Sequence, residues 1–373
     1  MEKEILTDGA QNPKTDACPG QNLYGMSQVE LENVAGECQA EPFHGRQIFQ
    51  WMYSRRVYDI SQMTDLSLEL RDRLRQNYFS RSLTVSEKKI SSDRTEKLLF
   101  SLDDGAQIET VLIPDRNSTT LCVSSQAGCP LACKFCATGT MDLKRNLTAG
   151  EIVGQALSLR DLHGDNAFSN IVFMGMGEPL LNYQNLIGAI EILTSPTGLN
   201  VSPRRITVST AGITPKIKRL SESGLRVNLA LSLHAASQQK RLEIMPVAKT
   251  FPLEKLISEV KNYALAVKRR ITFEYVLLDG FNDTPGDIRD LAKLAAGVDC
   301  KVNLLSYNPV PGLGFRRPAD EKVDWFAREL SARGTLVTVR RSRGRDIEAA
   351  CGQLAARRRN GSQLKSIPTE SRL

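Results

Sequence analysis

The sequence predicts an α/β protein: a partial (β/α)6 barrel preceded by a small N-terminal helical domain and a β-hairpin. From Thr120 onward, short runs of apolar and β-branched residues alternate with helical stretches, which is typical of parallel strands connected by helices. Six such units fall short of the eight that a complete (β/α)8 barrel needs. An open doubly wound sheet would show the same alternation, so the pattern leaves both arrangements open.

The residues ahead of the barrel predict an accessory domain. Residues 1–25 are polar, and we expect them to be disordered. Apolar residues recur at intervals of three and four over 45–55 and 67–77, which indicates helices. An Asp-Asp-Gly run at 103–105 stands between two apolar runs and predicts a hairpin. The expected division is a disordered N-terminus over 1–25, an accessory helical and hairpin domain over 26–114, a barrel with a C-terminal segment over 115–356 and a basic flexible tail over 357–373.

Seven runs in the barrel part have the composition of strands, and helix signals separate them. A capping-box sequence at 148–151 opens the first helix. Thr214-Pro215 opens the third helix, and Gly224 lies just past its end. The expected strands are 121–123, 171–174, 206–209, 228–233, 271–278, 302–306 and 336–340.

Length and composition exclude several classes of protein. The 373 residues, 41% of them hydrophobic, allow one large domain and a small one. No apolar run reaches roughly 18 residues, and the acidic start at 1–4 is unlike a signal peptide, so we expect a cytoplasmic protein with no membrane segment. Eight cysteines fit a reducing compartment. A net charge of +7 suits an anionic partner such as nucleic acid, although a solvated surface would explain it equally.

Three cysteines stand close together after the first expected strand. Cys129, Cys133 and Cys136 have the spacing C-x-x-x-C-x-x-C, with an aromatic residue just before the third. Three such thiolates can bind three irons of a [4Fe–4S] cluster and leave the fourth iron open to a substrate. A closed structural zinc site wants four ligands, and no fourth Cys or His follows nearby. The spacing therefore indicates a catalytic cluster, with zinc or buried thiols as the alternatives.

Five loops with unusual residues follow expected strands, on the rim where a β/α barrel carries its chemistry. The cysteine triplet is one of them. The others have structural explanations as well: 175–179 could be only a tight turn, His234 a core residue, Asn308 a cap and Ser209 an ordinary strand-end hydroxyl. Their shared position indicates a site more strongly than any single loop does. The residues singled out are Gly177, Glu178, Ser209, Ser232, Leu233, His234 and Asn308.

Three further residues carry reactive groups. Cys122 lies on the first barrel strand, and Cys351 lies far downstream within 348–354. A free cysteine is most often buried for packing, so each has a structural explanation when considered alone. Glu109 lies on the second hairpin strand, where alternation could turn it to solvent.

Together these motifs resemble the RlmN family of dual-specificity ribosomal RNA adenine methyltransferases, which are radical S-adenosylmethionine (SAM) enzymes, and their antibiotic-resistance relative Cfr. The resemblance covers about residues 26–356 and rests on the cysteine triplet and on 173–180, 231–235 and 350–354. It implies a radical SAM barrel in which Cys129, Cys133 and Cys136 bind one [4Fe–4S] cluster. The SAM contacts it implies are Gly177, Glu178, Ser209, Ser232, Leu233, His234 and Asn308.

The resemblance also implies a reaction. Two SAM molecules would be used per turnover, one to methylate Cys351 and one to provide the radical that moves this carbon to C2 of an adenine. Glu109 would accept the C2 proton, and Cys122 would release the product by forming a disulfide with Cys351. The expected substrates are 23S ribosomal RNA and transfer RNA. We further expect a monomer that receives electrons from a donor such as flavodoxin or ferredoxin.

Three other functions stay open at this point. A Cfr-like enzyme would methylate C8 of adenine, and the residues around Cys351 do not decide between C2 and C8. A radical SAM enzyme for a protein or small molecule would keep the cluster, but the two further cysteines and the basic charge argue against it. A zinc-containing RNA-binding module would need no cluster. The basic segment 340–345 could hold phosphates, and the accessory domain could grip RNA or only pack against the barrel.

Overall fold

A computed structural model describes residues 20–81 and 83–356. The flexible tail expected over 357–373, and residues 1–19 of the expected disordered start, lie outside the described residues. Residues 20–25 are described, and β1 (Gln21–Asn22) pairs in parallel with β2 (Tyr78–Phe79). Leu23 is fully buried beside this pairing. The boundary predicted at 25 is therefore too late, because a few apolar side chains anchor this otherwise polar segment.

Three helices follow and pack around one apolar cluster. They are α1 (Gln28–Glu37), α2 (Pro42–Tyr53) and α3 (Leu68–Asn77). Ser27 and Glu30 form a reciprocal capping box at the start of α1. Helix α2 approaches α1 closely at Gly45, where a Cβ would lie 2.3 Å from the backbone nitrogen of Glu32. A glycine is therefore required at this crossing.

Ten strands then form one continuous sheet, and two more form a small ribbon. The strands of the sheet are β3 (Thr84–Ile90), β4 (Glu96–Ser101), β5 (Gln107–Pro114), β6 (Thr119–Cys122), β9 (Asn170–Phe173), β10 (Ile206–Thr210), β11 (Asn228–Ser232), β12 (Ile271–Leu277), β13 (Cys300–Ser306) and β14 (Val337–Arg340), and the ribbon is β7 (Gln126–Ala127) with β8 (Arg145–Asn146). Across the sheet the order is β14-β13-β12-β11-β10-β9-β6-β5-β4-β3. The seven strands from β14 to β6 run parallel, which confirms the predicted alternation.

Helices connect the parallel strands as expected. They are α4 (Ala149–His163), α5 (Tyr183–Thr194), α6 (Thr214–Glu222), α7 (Gln238–Ile244), α8 (Leu253–Val267), α9 (Pro285–Ala296) and α10 (Asp320–Ser331). The capping box predicted before α4 is present, with Thr148 and Glu151 as its two members. Among the described residues, no helix combines the length and apolar composition that a bilayer span requires.

The predicted hairpin is present but is not separate from the barrel. β4 and β5 pair antiparallel, and β5 continues the sheet by pairing with β6 in the register Val111↔Cys122. The domain boundary predicted after 114 stays a prediction, because the sheet itself crosses it without a break. As a result, Glu109 on β5 and Cys122 on β6 lie on neighbouring strands.

Candidate active site

The loop that carries the cysteine triplet runs from β6 to α4 and is held at both ends by the β7–β8 ribbon. Arg145 on β8 donates to both Glu151 oxygens at 2.7 Å and to Asp104 at 2.6 Å. These bonds tie the loop to the hairpin turn and to the start of α4. Gly128 has a φ of 87°, and a Cβ there would lie 2.1 Å from the Asp142 carbonyl oxygen, so the turn accepts only glycine.

Cys129, Cys133 and Cys136 line one cavity at the rim of the barrel, the first cavity. Loss of water around the sulfur atoms raises the pKa of Cys129 to about 12 and raises the pKa values of the other two. A bound metal would supply the positive charge that stabilises thiolates there. In the part of the chain that is described, no three His, Cys, Asp or Glu side chains converge as ligands of one ion would. Three cysteine thiols that line one cavity are the donor set that a [4Fe–4S] cluster with one open iron takes.

Gly177 and Glu178 lie in the loop after β9 and face the first cavity. Gly177 has a φ of 98°, and a Cβ there would lie 2.5 Å from Cβ of Gln126, so its absence lets the two loops touch. Glu178 accepts hydrogen bonds from the backbone nitrogens of Ala211 at 2.7 Å and Leu180 at 3.1 Å. Burial raises the pKa of Glu178 to about 7. An ammonium group of a ligand would therefore stabilise its charged form.

Three further predicted contacts line the first cavity with polar atoms. The hydroxyls of Ser209 and Ser232, on neighbouring strands, lie 3.3 Å apart. Asn308 donates from Nδ2 to the Cys351 carbonyl oxygen at 3.2 Å. Its Oδ1 is buried and has no hydrogen-bond partner in the described chain. A buried acceptor without a partner is costly, so this oxygen fits a ligand N–H group.

His234 closes the first cavity beside Phe135, with ring centroids 4.8 Å apart in an edge-to-face arrangement. Its backbone has a φ of 54°, and Asn282 fixes this turn by donating to the His234 carbonyl at 2.7 Å. Burial, with Arg241 as a nearby positive charge, lowers the pKa of His234 to about 3. Nδ1 accepts from the Val276 nitrogen at 3.1 Å, so the neutral ring carries its proton on Nε2 and can donate to a ligand.

Leu233 is the one predicted SAM contact that the structure does not bring to the cavity wall. Its side chain is fully buried in the core. Its backbone nitrogen donates to the Glu274 carbonyl at 3.0 Å. Its main effect on the cavity is therefore to hold the turn that presents its neighbour His234.

Arg241 supports the site but was not predicted from the sequence. This fully buried side chain donates to the carbonyls of Ser232 at 2.9 Å, of Leu233 at 2.5 Å and of Ala211. It thereby joins the ends of β10 and β11. Burial lowers its pKa to about 10. In the sequence, Arg241 stands three residues before the apolar Ile244 on a short helix. Many exposed arginines have the same spacing, so the sequence does not indicate that Arg241 is buried.

Cys351 lies between the first cavity and a second one. The second cavity is lined by both Cys351 and Cys122, and Cys351 also lines the first cavity beside the cysteine triplet. Cys351 is exposed, whereas Cys122 is 6% exposed, and both are free thiols. Burial, and to a lesser degree the nearby Cys351, raise the pKa of Cys122 to about 12. The structure thus brings together two cysteines that are far apart in sequence.

Arginines from the end of β14 form one wall of the second cavity. They are Arg340, Arg341 and Arg343. The negative charge that Cys351 can carry, together with that of Glu274 and Cys122, raises the pKa of Arg340. Arg343 pairs with Asp115 at 3.3 Å on the opposite wall. The second cavity is therefore a basic pocket lined by three thiols, those of Cys122, Cys136 and Cys351.

Glu109 is buried, at 4% exposure, and does not face solvent as alternation allowed. Both faces of β4 and β5 are covered, which alternation alone could not show. Its carboxylate pairs with Lys97 at 2.9 Å and accepts from the Ala355 nitrogen at 2.9 Å. It does not line either cavity but contacts the segment that carries Cys351.

Two family models match the chain. The radical SAM superfamily model matches residues 123–295, which include the cysteine triplet and the strands from β9 to β12. The model of the ribosomal RNA large subunit methyltransferase N-terminal domain matches residues 21–79, which are the helical domain.

Curated relatives and one solved structure resemble nearly the whole chain. Dual-specificity RNA methyltransferase RlmN of Syntrophobacter fumaroxidans is 48% identical over 88% of this chain and 96% of its own length. The protein of the same name from Geobacter sulfurreducens is 45% identical over 89% of this chain and 91% of its own length. The crystal structure of a radical SAM methyltransferase from Sphaerobacter thermophilus superposes with a TM-score of 0.85 at 43% identity, covering 90% of this chain and all of that one.

Proposed function

Because the chain belongs to the RlmN family of dual-specificity RNA methyltransferases in the radical SAM superfamily, we propose that it methylates C2 of an adenosine in 23S ribosomal RNA and in transfer RNA. The names of the matched relatives support an RNA substrate. They favour C2 over the C8 position of the resistance enzyme, because the relatives carry the RlmN name.

The position of Cys351 is the observation that carries this proposal. Its thiol lines both the first cavity, with the cysteine triplet, and the second cavity, with Cys122 and the arginines. Cys136 also lines both cavities, but it belongs to the triplet that would bind the cluster. A group received at the first cavity can therefore be passed on in the second without a long movement of the chain. This placement suits a carrier of a one-carbon unit, and it has no purpose in a simple packing cysteine.

The first cavity would hold the two cofactors of the superfamily. Cys129, Cys133 and Cys136 would bind one [4Fe–4S] cluster. When bound, the cluster supplies the electron that makes SAM a source of a radical. Gly177, Glu178, Ser209, Ser232, His234 and Asn308 would bind SAM, with Leu233 holding the backbone of that wall. The carboxyl group of Glu178, the N–H donor of His234 and the unpartnered acceptor of Asn308 match the amino, carboxylate and base groups of SAM.

The two remaining cysteines would perform methyl carriage and product release. Cys351 would lose its thiol proton and take the methyl group of one SAM on sulfur. After the carbon has bonded to the base, the Cys122 thiolate would attack the sulfur of Cys351 and form a disulfide. The bond between that sulfur and the transferred carbon breaks, and the carbon keeps the electron pair and takes up a proton to complete the methyl group. A reductant must then reopen that disulfide. Arg340 beside both thiols would help Cys122 to ionise against the effect of its burial.

Glu109 would accept the proton that leaves C2 of the adenine. A general base has to reach the proton that it removes, and resting-state contacts can differ from those of the complex. We call residues 344–356, which include Cys351, the carrier segment. The Glu109 carboxylate contacts this segment at Ala355 and does not line either cavity. Its role therefore requires RNA binding to bring C2 of the adenine to this carboxylate.

The second cavity would receive the target nucleotide. Arg340, Arg341 and Arg343 line it, and cationic side chains supply the phosphate contacts on which RNA affinity depends. The adenine must leave its stack to reach Cys351. The accessory helices would grip folded RNA, and a flavodoxin or ferredoxin would deliver electrons to the monomeric enzyme.

Anaerobic reconstitution with iron, sulfide, SAM, a reductant and 23S ribosomal RNA tests the proposal, followed by mass spectrometry of the nucleosides. The proposal expects 2-methyladenosine. Formation of 8-methyladenosine would assign the chain to the chemistry of the resistance enzyme. Absence of any methylated adenosine, in protein with a full complement of iron, would exclude RNA methylation. Transfer RNA is assayed in parallel.

A further inference from the structure

Lys97 is a buried cation that has no part in the proposed function described so far. It lies on β4 with its side chain 6% exposed, and its Nζ lies 2.9 Å from Oε1 of Glu109, which is 5% exposed. In the sheet, Lys97 pairs with Val111 and Glu109 pairs with Leu99, so the two side chains are diagonal neighbours on one face. A buried ammonium needs such a partner because desolvation of a charge is costly.

The same ion pair holds the carrier segment on both sides of Cys351. Nζ of Lys97 also donates to the carbonyl oxygen of Glu348 at 3.1 Å, three residues before Cys351. Oε2 of Glu109 accepts from the Ala355 nitrogen at 2.9 Å, four residues after it. Both bonds reach backbone atoms, so they fix the course of the chain rather than one side-chain rotamer.

The β3–β4 turn extends this attachment. Asp346 accepts from the Ser91 hydroxyl at 2.6 Å and from the Ser92 nitrogen at 3.1 Å. The Gly344 nitrogen donates to Asp93 at 2.9 Å. The segment leading to Cys351 is therefore docked on the hairpin, and Lys97 is the member of this set that also contacts the proposed base.

We propose that Lys97 is a positioning residue that couples Glu109 to the carrier segment, so that the base and the thiol of Cys351 are placed by one contact. The inference rests on the proposed function for the roles of Glu109 and Cys351. It adds that the hairpin, through Lys97, sets the distance between them. Displacement of a reacting group by about 1 Å can cost on the order of a hundredfold in rate, so removal of the Lys97 ammonium slows carbon transfer markedly.

Hydrogen exchange tests the structural half without any catalysis. In Lys97→Met the amides of 344–350 should exchange at least about tenfold faster, since the substitution removes the bond to the Glu348 carbonyl. The amides of 351–354 should change less, because Ala137, Thr138 and Asn308 still donate to that part of the segment. Lys97→Arg keeps a buried cation and should retain most of the protection. Lys88→Met is the matched control, because Lys88 pairs with Glu96 on the same hairpin and has no bond to the carrier segment. Unchanged exchange over 344–350 in Lys97→Met would overturn the proposal.

A single-turnover assay tests the reactive half. Holoenzyme methylated on Cys351 is mixed with RNA, SAM and a reductant, and product is followed in time. Lys97→Met should lower the rate about tenfold or more at saturating RNA, with Lys97→Arg recovering most of it. A loosened segment with an unchanged rate would contradict the positioning role. If wild-type enzyme itself makes no product while the exchange result holds, the proposed function fails and the attachment by Lys97 stands.

A double variant covers the case in which Lys97→Met fails to fold around an unpaired carboxylate. Lys97→Met with Glu109→Gln leaves no buried charge, and such replacements are often neutral for stability. The glutamine oxygen still accepts from Ala355, while the bond to Glu348 is removed. Faster exchange should then appear before Cys351 and not after it. If the change in exchange rate relative to the wild type were the same before and after Cys351, the proposal would be overturned.

Discussion

At the scale of single residues, Cys351 differs from the other described cysteines in its surroundings. It is exposed, whereas Cys38 and Cys122 are buried and Cys136, which also lines both cavities, is half-buried. The sequence could nominate Cys122 and Cys351 only through a family resemblance, because a free cysteine most often serves packing. Their shared cavity depends on the β5–β6 pairing and on the return of the C-terminal segment, which no local pattern shows.

We predict that Cys122→Ala accumulates a covalent protein–RNA adduct. Without the attacking thiol, nothing breaks the bond between the Cys351 sulfur and the transferred carbon, which is also bonded to the base. Denaturing electrophoresis of labelled RNA, before and after nuclease digestion, measures the adduct. Cys300→Ala is the matched control, since Cys300 is also a free cysteine but its thiol donates to the Ala295 carbonyl away from both cavities. Multiple turnovers without adduct in Cys122→Ala would remove the resolving role.

At the scale of elements, the parallel strands were predictable and their supports were not. Each of the seven barrel strands lies within two residues of its expected bounds, because apolar, β-branched runs between helix caps are local signals. The β7–β8 ribbon has two residues per strand, too few for any periodicity. Arg241 was missed for a different reason. Its burial follows from three carbonyls that only the assembled rim brings together.

We predict that Arg241→Met destabilises the protein by about 2–5 kcal/mol, because it removes the buried donor that joins the carbonyls at the ends of β10 and β11. Urea unfolding of the protein without cofactors measures this change. Arg226→Met is the control, since that exposed arginine makes one bond, 3.2 Å long, to the Val267 carbonyl. A destabilisation below about 1 kcal/mol in Arg241→Met would show that the rim does not depend on this side chain.

At the scale of the whole molecule, the accessory part and the barrel form one structure. Strands β3, β4 and β5 continue the barrel sheet. The turn between β3 and β4 forms hydrogen bonds with Gly344 and Asp346, in the segment that leads to Cys351. Composition predicted an accessory unit, but only long-range pairing shows that it contacts the segment that contains Cys351. The net charge of +7 is likewise a global quantity, and the structure concentrates part of it in the wall of the second cavity.

We predict that Arg343→Gln weakens RNA binding. The slope of the logarithm of the association constant against the logarithm of the salt concentration should become shallower by about 1, because one phosphate is no longer neutralised. Arg343 is 39% exposed and lines the second cavity. Arg270→Gln serves as the control, because Arg270 is 54% exposed and also pairs with an aspartate, Asp299, but does not line the second cavity. The two residues directly precede β12 and β13. Fluorescence anisotropy over a range of salt concentrations measures both slopes. Equal slopes for Arg343→Gln and the wild type would place the RNA elsewhere.

The most direct test of the carrier role follows a trideuterated methyl group from SAM through the enzyme by mass spectrometry. Before RNA is added, the label should appear on the peptide containing Cys351 with all its deuterium. After RNA is added, the methyladenosine should carry two of the deuterium atoms, because one hydrogen leaves the S-methyl group before the carbon bonds to the base. A product that keeps all three, or labelled product from Cys351→Ala, would contradict the account.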